Sequence, residues 1–310
     1  MVRFIWKICL FAAALLIVAL VMDRLFTNIF KQGRTVKAQW VGQMQDDHYD
    51  LVIIGSSRAW WNIDMNMINE KCSMNSINIS NNHYGPLEML LAFQQFISGD
   101  NTADHVLLQL DYRNCSQGRP PTSVAAYDFL PWIHDPRVFD ILKGTSEEWI
   151  WLRNIPFARY GLYNSKWGPE EFAITLLGER NSIFDGTGSF FVDREFRGYP
   201  YYQLDLVPFQ ISKEIVKIIE ICKARNIRID IFTAPYYRLM LPNGARERFH
   251  DVVRTLDVPF HDHSFSLDST IHFDNNYHLS YTGGQLFTQM LIDEVICPKR
   301  DTDQQPRAVQ

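Results

Sequence analysis

The sequence predicts an α/β domain with a mostly parallel sheet in a three-layer arrangement, preceded by one transmembrane helix. Short apolar runs alternate with amphipathic segments from residue 48 onward, and a long apolar run occupies the N-terminus. Of the 310 residues, 46 % are hydrophobic and 21 % are charged, which is typical of a packed core rather than of a disordered chain. The length suits one large domain or two small ones.

The strands are predicted from short apolar runs at 51–54, 76–79, 105–110 and 227–233, with a weaker one at 258–261. Helices are predicted between them at 86–97, 208–224, 245–256 and 285–296. The segment 208–224 shows helical periodicity most clearly, with apolar residues at Ile211, Ile215, Ile218, Ile219 and Cys222. Strands that alternate with helices in this way favour a parallel sheet covered on both faces.

The N-terminal run 4–22 is apolar except for Lys7. About 19 residues at 1.5 Å each span roughly 28 Å, close to the thickness of the bilayer hydrocarbon. A cleaved signal peptide is the alternative, but the Ala19-Leu-Val21 sequence is a poor cleavage site. We therefore predict an uncleaved single-pass anchor within residues 1–27. Basic residues flank it on both sides, so orientation follows only from the usual behaviour of such anchors, which places the domain outside the cytoplasm.

The chain is expected to divide into four parts. The anchor is followed by a polar juxtamembrane linker at 28–47, the folded domain at 48–299 and a disordered tail at 300–310. Within the domain, a segment at about 117–202 is rich in Trp, Phe, Tyr, Pro and Gly and interrupts the alternation, so it is predicted to be an insertion or lid. Its aromatic residues either form a small core of their own or line a cleft for a sugar or an acyl chain.

Charge and cysteine content exclude some functions. The net charge of −5 gives no electrostatic case for binding nucleic acid. The cysteines show no CxxC pair, so metal spacing is absent, and isolated thiols are expected, with disulfides as the alternative in an oxidising compartment. They are Cys9, Cys72, Cys115, Cys222 and Cys297.

The segment from Asp50 to Arg58, with the sequence DLVIIGSSR, contains the candidate nucleophile. Ser57 follows an apolar strand and a glycine, at the carboxyl end of a strand, where ligands bind in parallel sheets. Its own backbone N–H, at the start of a helix, is suited to binding an oxyanion. The alternative is a simple turn in which a serine caps the helix.

The candidate base is His278, in a loop before the last predicted helix. A serine hydroxyl needs a base that takes its proton, and a nearby carboxylate holds the imidazole in the required tautomer. Asp274, four residues before His278, is the candidate carboxylate. The alternative is that His278 caps the helix or packs locally.

A metal site is the weaker interpretation of another histidine-rich stretch. His261-Asp262-His263, with Asp268 and His272, contains residue types that bind zinc, but alternation of faces at a strand end explains the pattern as well. The sequence contains no Walker loop and no dinucleotide-binding glycine pattern. We therefore expect no metal and no cofactor.

Together, the strand-Gly-Ser-Ser segment and the His278-Leu-Ser-x-x-Gly segment resemble the SGNH (GDSL-like) hydrolase superfamily. The closer resemblance is to its membrane-anchored branch, which is associated with acylation of envelope polysaccharides or teichoic acids. The resemblance covers about 50–111 and 227–295, and it implies a flavodoxin-like fold. It also implies a Ser-His-Asp site formed by Ser57, His278 and Asp274.

Each family block carries a substitution in this chain. Gly55-Ser-Ser57 stands in place of Gly-Asp-Ser, and His83 stands where the second block has a glycine that supplies an oxyanion N–H. Asn82 and Gly85 flank that position. Arg113 falls at the asparagine of the third block, with Asn114 beside it, and Asn275 stands three residues before His278, where the family has aspartate. The resemblance implies oxyanion or substrate contacts at His83, Asn82, Gly85, Arg113 and Asn114, and makes Asn275 the alternative orienting residue.

The resemblance implies a membrane-anchored serine esterase or O-acyltransferase that acts on an acylated cell-envelope glycan. The expected partners are the acylated glycan or acyl donor, the bilayer and proteins of envelope assembly. The alternative is a catalytically degenerate scaffold or glycan-binding subunit of a polysaccharide biosynthesis or export system.

Overall fold

The computed structural model describes residues 1–115, 124–178, 186–190, 208–237 and 241–298. The predicted tail at 300–310 and parts of the insertion lie outside these residues. Five parallel strands form one sheet in the order β2-β1-β3-β4-β5. This is the flavodoxin-like order, whose switch point lies between β1 and β3. The strands are β1 (His48–Ile54), β2 (Ser76–Asn78), β3 (Thr102–Gln109), β4 (Arg228–Thr233) and β5 (Phe260–Asp262).

Helices cover both faces of this sheet, which confirms the predicted α/β class. Two helices precede the sheet, α1 (Val2–Lys31) and α2 (Lys37–Gly42). The others, in chain order, are α3 (Ser57–Trp60), α4 (Met65–Cys72), α5 (Pro86–Ser98), α6 (Pro136–Leu142), α7 (Glu148–Asn154), α8 (Ala158–Leu162), α9 (Asn164–Trp167), α10 (Pro169–Leu176), α11 (Lys213–Ala224), α12 (Ala245–Val253) and α13 (Tyr281–Leu291).

The strand residues alternate between two cores. Val52 and Ile54 of β1 belong to the cluster that includes α5 and α11, whereas Leu51 and Ile53 belong to the cluster that includes α4 and α13. Successive side chains of a strand point to opposite faces, so a run that is apolar at every position needs a cover on both sides. The apolar run before Ser57 is therefore an interior strand of a doubly covered sheet.

The helix α1 is long and apolar enough to cross a membrane. Its residues 2–22 are almost entirely exposed, whereas Asp23, Phe26 and Phe30 are buried against the domain. The helix thus has two parts, an apolar N-terminal part without protein contacts that bury it and a C-terminal part that is packed on the domain.

Residues 28–47, expected as a juxtamembrane linker, are folded onto the domain. α1 continues to Lys31, and α2 buries Lys37, Gln39 and Trp40. The polar groups are satisfied internally, since Gln39 Nε2 donates to the Phe30 carbonyl at 2.8 Å and Lys37 Nζ donates to the Gly188 carbonyl at 2.5 Å. A polar composition indicated exposure here, but these side chains bind the backbone of the domain instead.

The described part of the insertion forms an aromatic core around the end of α1. Phe26 stacks on Phe172 with ring centroids 4.3 Å apart, and Phe30 contacts Tyr160 and Trp167 at 5.5 and 4.8 Å. For these residues the first of the two interpretations, a small core, describes the structure. The Tyr199-Pro-Tyr-Tyr202 sequence lies outside the described residues.

The structure contains a disulfide between Cys72 and Cys297, which were expected as isolated thiols. Their Cα atoms lie 6.1 Å apart although 225 residues separate them in the chain. Sequence spacing carries no information about such a pair, because the fold alone brings α4 and the C-terminal segment together. Of the remaining thiols, Cys9 is exposed, and burial raises the pKa of Cys222 to about 12.

Candidate active site

The nucleophile segment is a tight strand-to-helix turn at the end of β1. Gly55 has no room for a side chain, since a Cβ there would lie 2.6 Å from the Cβ of Gln109 and 2.7 Å from that of Ala59. Ser56 caps α3, because its Oγ accepts the N–H of Arg58 at 3.3 Å. The capping role therefore belongs to Ser56, and Ser57 is the first residue of the helix, where the backbone N–H has no acceptor within the helix.

The structure brings Ser57 and His278 together from opposite ends of the domain. Ser57 Oγ lies 2.9 Å from His278 Nε2. The other ring nitrogen, Nδ1, lies 3.2 Å from Asn275 Oδ1, which also accepts the backbone N–H groups of Tyr277 and His278. Because this oxygen is an acceptor, Nδ1 must be the donor in the neutral ring. Nε2 is then free to accept the hydroxyl proton of Ser57.

Asn275, the alternative orienting residue, occupies the place expected for Asp274. Asp274 Oδ2 accepts the Asn275 side-chain amide at 3.1 Å, so the carboxylate acts on the ring through Asn275. The loop is closed by backbone bonds from the N–H groups of Asp274 and Asn275 to the His278 carbonyl, at 2.9 and 3.3 Å. This tight loop directs the residue three before His278, rather than four before, to the imidazole.

The second-block residues lie between β2 and α5. His83 has a φ of +62°, so the chain keeps there the left-handed conformation that glycine adopts most easily. Its side chain is exposed, and Asn82 is half-buried. The backbone N–H of Gly85 donates to Glu88 Oε2 at 2.8 Å and thus serves the N-terminus of α5. Of these residues, His83 is the one with a left-handed backbone conformation.

The third-block residues separate in the structure. Asp111 Oδ1 accepts the backbone N–H groups of Arg113 and Asn114 at 3.0 and 3.2 Å, which fixes the turn after β3. Asn114 is buried, and its amide faces the sulfur of Met89 at 3.9 Å. Arg113 is exposed, and its guanidinium lies 5.9 Å from the ring centroid of Tyr277, next to His278. Arg113 is thus the one of the two that lies beside the histidine loop.

The residues proposed for a metal cluster do not converge on one point. Asp262 Oδ2 contacts Arg246 and His250, both at 2.6 Å, whereas His261 lies 3.3 Å from Asp230. In the described ranges the group with metal-like spacing is His48, Asp50 and Asp104, at the opposite ends of the strands from Ser57. The alternation of faces accounts for the His-Asp-His sequence.

Arg58 is a functional residue that the sequence analysis missed. Its side chain is buried beside the nucleophile, and it joins three segments that end at the carboxyl edge of the sheet. Its contacts are the carbonyl oxygens of Tyr277, Ala234 and Pro235 at 3.2, 2.5 and 2.8 Å, the Asp111 carboxylate at 3.4 Å and the ring of Tyr236 at 3.4 Å. Since one of these carbonyls belongs to the histidine loop, Arg58 positions Ser57 and His278 relative to each other. Its place directly after the serine was the only signal.

Buried amide side chains also form hydrogen bonds in and around α3, the helix that begins at Ser57. Gln109 Oε1 accepts both the N–H and the hydroxyl of Ser56, at 2.9 and 2.8 Å. Asn78 Nδ2, from the second block, donates to the carbonyl of Ala59 at 3.0 Å. Asn62 Oδ1 accepts the N–H of Leu279 at 3.0 Å and so binds the histidine loop directly. The site is therefore fixed by hydrogen bonds from residues on β3, on β2 and in the turn that follows α3.

Aromatic rings form one wall of the site. The ring of Trp61 lies 4.7 Å from that of His278, and Phe190 lies 5.2 and 5.7 Å from Trp60 and Trp61. The segment 186–190 is tied down through Gly188, whose carbonyl accepts both Trp60 Nε1 and Lys37 Nζ. Phe190 belongs to the aromatic insertion, so at this residue the insertion does reach the site.

No known protein-family model matches the chain, and no curated protein is significantly similar to it.

Proposed function

We propose that the protein is a membrane-anchored serine esterase or O-acyltransferase that acts on an acylated cell-envelope glycan. The observation that carries the proposal is the relay of Ser57 Oγ to His278 Nε2 at 2.9 Å and of His278 Nδ1 to Asn275 Oδ1 at 3.2 Å. A nucleophile, a base and an orienting group within hydrogen-bond reach are the diagnostic arrangement for covalent acyl transfer.

In the proposed reaction, Ser57 Oγ attacks the acyl carbon while His278 Nε2 takes the hydroxyl proton. The tetrahedral intermediate collapses, the leaving alcohol takes the proton from His278, and the acyl group stays on Ser57 as an ester. A water molecule or a sugar hydroxyl then attacks this ester, with His278 again as the base. Water as the acceptor gives hydrolysis, and a sugar hydroxyl gives transfer.

The oxyanion of the intermediate needs donors that are fixed in advance. The proposed donors are the backbone N–H of Ser57 and the backbone N–H of His83, whose backbone conformation is left-handed. The exposed guanidinium of Arg113, beside the histidine loop, adds positive charge on the same side. In this proposal the substitution of glycine by His83 preserves the donor because the backbone conformation is retained.

The location of the substrate follows from the anchor and from the cysteines. The helix α1 is long and apolar enough to hold the domain at a membrane. The disulfide between Cys72 and Cys297 favours an oxidising compartment outside the cytoplasm. An acylated glycan of the cell envelope, or an acyl donor at the membrane, is available there.

The second candidate is a degenerate scaffold or glycan-binding subunit. Asn275 favours it, because a neutral amide next to Nδ1 stabilises an imidazolium less than a carboxylate does. Asp274 reaches the ring only through that amide. In this case the aromatic wall of Trp61 and Phe190 would bind a glycan without turnover.

Labelling with a fluorophosphonate distinguishes the two candidates, since this probe reacts only with an activated serine. We expect labelling of the full-length wild type in nanodiscs and its loss in Ser57→Ala. Ser98→Ala is the matched control, because Ser98 lies in α5, where its hydroxyl donates to the carbonyl of Gln94. Labelling that persists in Ser57→Ala excludes this serine as the nucleophile, and an unlabelled wild type favours the scaffold.

Product analysis then separates hydrolysis from transfer. With an aryl acetate as the donor, free acetate in the absence and presence of an oligosaccharide acceptor reports hydrolysis. Acetylated oligosaccharide, formed at the expense of acetate, indicates transfer. Both activities should disappear in Ser57→Ala and in His278→Ala.

A further inference from the structure

The position of the bilayer along α1 can be read from burial. Residues 2–22 are apolar apart from Arg3 and Lys7 and almost entirely exposed, and they span about 32 Å at 1.5 Å per residue, which matches the hydrocarbon thickness. Asp23 is the first buried residue of the helix and the first carboxylate of the chain. The helix therefore leaves the hydrocarbon at Asp23 and enters the domain there.

Asp23 is held by the segment 148–162, which runs from the start of α7 to the end of α8. Its Oδ1 accepts the backbone N–H of Phe157 at 2.8 Å, and its Oδ2 accepts the buried guanidinium of Arg159 at 2.7 Å. One turn further, Thr27 Oγ1 bonds the hydroxyl of Tyr160 at 2.6 Å and accepts Arg159 at 2.9 Å. These buried and partly buried contacts attach this segment to α1.

The same segment exposes large apolar side chains to solvent. Trp151 is 63 % exposed, Ile155 46 % and Leu162 71 %. Ile155 lies two residues before Phe157, so their Cα atoms are at most about 7 Å apart. Leu162 lies three residues after Arg159 in α8, a rise of about 4.5 Å. Ile155 and Leu162 thus lie within a helical turn or two of the residues that hold Asp23, where α1 leaves the bilayer, and Trp151 precedes them by one turn of α7.

We propose that residues 148–162 form a second membrane contact, with Trp151, Ile155 and Leu162 in the interfacial region of the bilayer. The occupant of this surface is lipid rather than a second protein, because the surface is continuous with the point where α1 emerges. Tryptophan and large apolar side chains are the residues that prefer this depth. Arg24, exposed and next to Asp23, can bind lipid phosphates at the same level.

Two contacts restrict the domain more than one does. An anchor alone permits the domain to tilt, whereas a helix and a neighbouring interfacial surface fix its orientation relative to the bilayer. The inference does not depend on the chemistry of Ser57, and it holds equally for an enzyme and for a scaffold.

The test uses the full chain in nanodiscs, with a fluorescent NBD group on single introduced cysteines and with Cys9→Ser as the background. Leu162→Cys and Ile155→Cys report the proposed surface. Leu286→Cys is the matched control, since it is 40 % exposed on α13, which packs on the opposite face of the sheet from the cluster around α1. Melting curves check that each variant is folded.

We expect lipids brominated near the headgroup to quench NBD at residues 155 and 162 several-fold more than at 286. Equal quenching at all three positions overturns the proposal. NBD emission at residue 162 that is blue-shifted but not quenched by the brominated lipids also overturns the proposal. If this blue shift depends on protein density in vesicles, it indicates a second copy of the chain on this surface.

Discussion

Two buried arginines, Arg58 and Arg159, lie at two places where separate segments of the chain meet, and they bind different kinds of partner. Both guanidinium groups are almost fully inaccessible to solvent. Arg58 lies at the carboxyl edge of the sheet, next to Ser57. Arg159 lies in the helical insertion, at the C-terminal end of α1. In each case one side chain joins segments that are distant in the chain.

The partners of Arg58 are mostly neutral. Three of them are backbone carbonyl oxygens, and its one carboxylate, Asp111, lies 3.4 Å away. Carbonyl groups at chain turns have directional lone pairs, so they specify the positions of the loops that carry them. This arrangement fixes geometry at the candidate active site.

The main partner of Arg159 is a charge. Asp23 lies 2.7 Å from it, across 136 residues of sequence, and Thr27 supplies a further acceptor on the same helix. A buried ion pair tolerates loss of one partner poorly, because the other charge is then left without compensation. This pair holds α1 to the domain. Arg58 therefore positions the loops of the candidate active site, whereas Arg159 attaches α1 to the domain.

The largest effects are expected when either guanidinium group is removed, and the labelling rate should then separate the two roles. We expect Arg58→Met and Arg159→Met each to lower the free energy of unfolding by about 3–5 kcal/mol, because each leaves buried polar partners unpaired. The rate of fluorophosphonate labelling, measured on the folded fraction, should fall about 100-fold for Arg58→Met, since a displaced nucleophile reacts poorly. For Arg159→Met the labelling rate should be unchanged.

The control for this comparison is Arg137→Met. Arg137 is exposed and pairs with Asp135 on the surface, so its loss should change stability by less than about 1 kcal/mol. Arg58→Lys, which keeps the charge but offers fewer donors, provides a milder variant if Arg58→Met fails to fold. A labelling rate that falls equally for Arg58 and Arg159 variants would contradict the division of roles.

The next largest effect concerns the orienting group of His278. We expect Asn275→Ala to slow labelling about 10- to 100-fold, because Nδ1 loses its acceptor and the ring its preferred tautomer. Asp274→Asn should slow it less than Asn275→Ala does, since Asp274 acts through Asn275. Asn275→Asp places a carboxylate at Nδ1 and should retain labelling. A larger loss from Asp274→Asn than from Asn275→Ala would show that the carboxylate reaches the ring directly.

The smallest effect concerns a third buried charge, the carboxylate of Asp230, which lies at neither of these two places. Burial by itself raises the pKa of the Asp230 carboxyl, but the imidazoles of His105 and His261, together with the charge of Arg228, outweigh burial and lower the pKa well below its ordinary value. A carboxyl with a lowered folded-state pKa stabilises the fold above its ordinary pKa of about 3.9. This contribution is lost as the pH falls through the lowered value.

We therefore expect Asp230→Asn to lower stability at pH 7 by about 1–2 kcal/mol, with labelling unchanged. Urea unfolding at pH 7, 5 and 4 checks the prediction, with Asp251→Asn, on the surface, as the control. The difference from wild type should persist over this range and shrink only in stronger acid. A difference that grows as the pH falls would contradict the sign of the shift.

Much of the fold was predictable because it depends on periodicity. The apolar run of β1 required a cover on both faces, and the stripe Ile215, Ile218, Ile219 and Cys222 is the buried face of α11. Likewise, the position of Ser57 directly after a strand placed it at the carboxyl edge of the sheet. These inferences need only local pattern and the rule that parallel strands end together.

Other features were not predictable because they depend on partners far away in the chain. Lys37 falls in the predicted linker, but its side chain binds the carbonyl group of Gly188, far away in the chain. Arg58 is surrounded by three distant carbonyl groups, which no local pattern indicates. A charged or polar side chain is buried only where hydrogen-bond acceptors surround it. Local sequence does not show where acceptors from distant segments come together.

The amino-acid sequence by itself determined the parallel α/β sheet, the apolar N-terminal helix and the two segments with Ser57 and His278, because periodicity, apolar length and strand-end position are local properties. Only the tertiary structure decided that Asn275 rather than Asp274 faces the imidazole, that Cys72 meets Cys297 and that Asp23 binds Arg159. These three results depend on distances of a few ångströms between groups that the chain brings together only when it is folded.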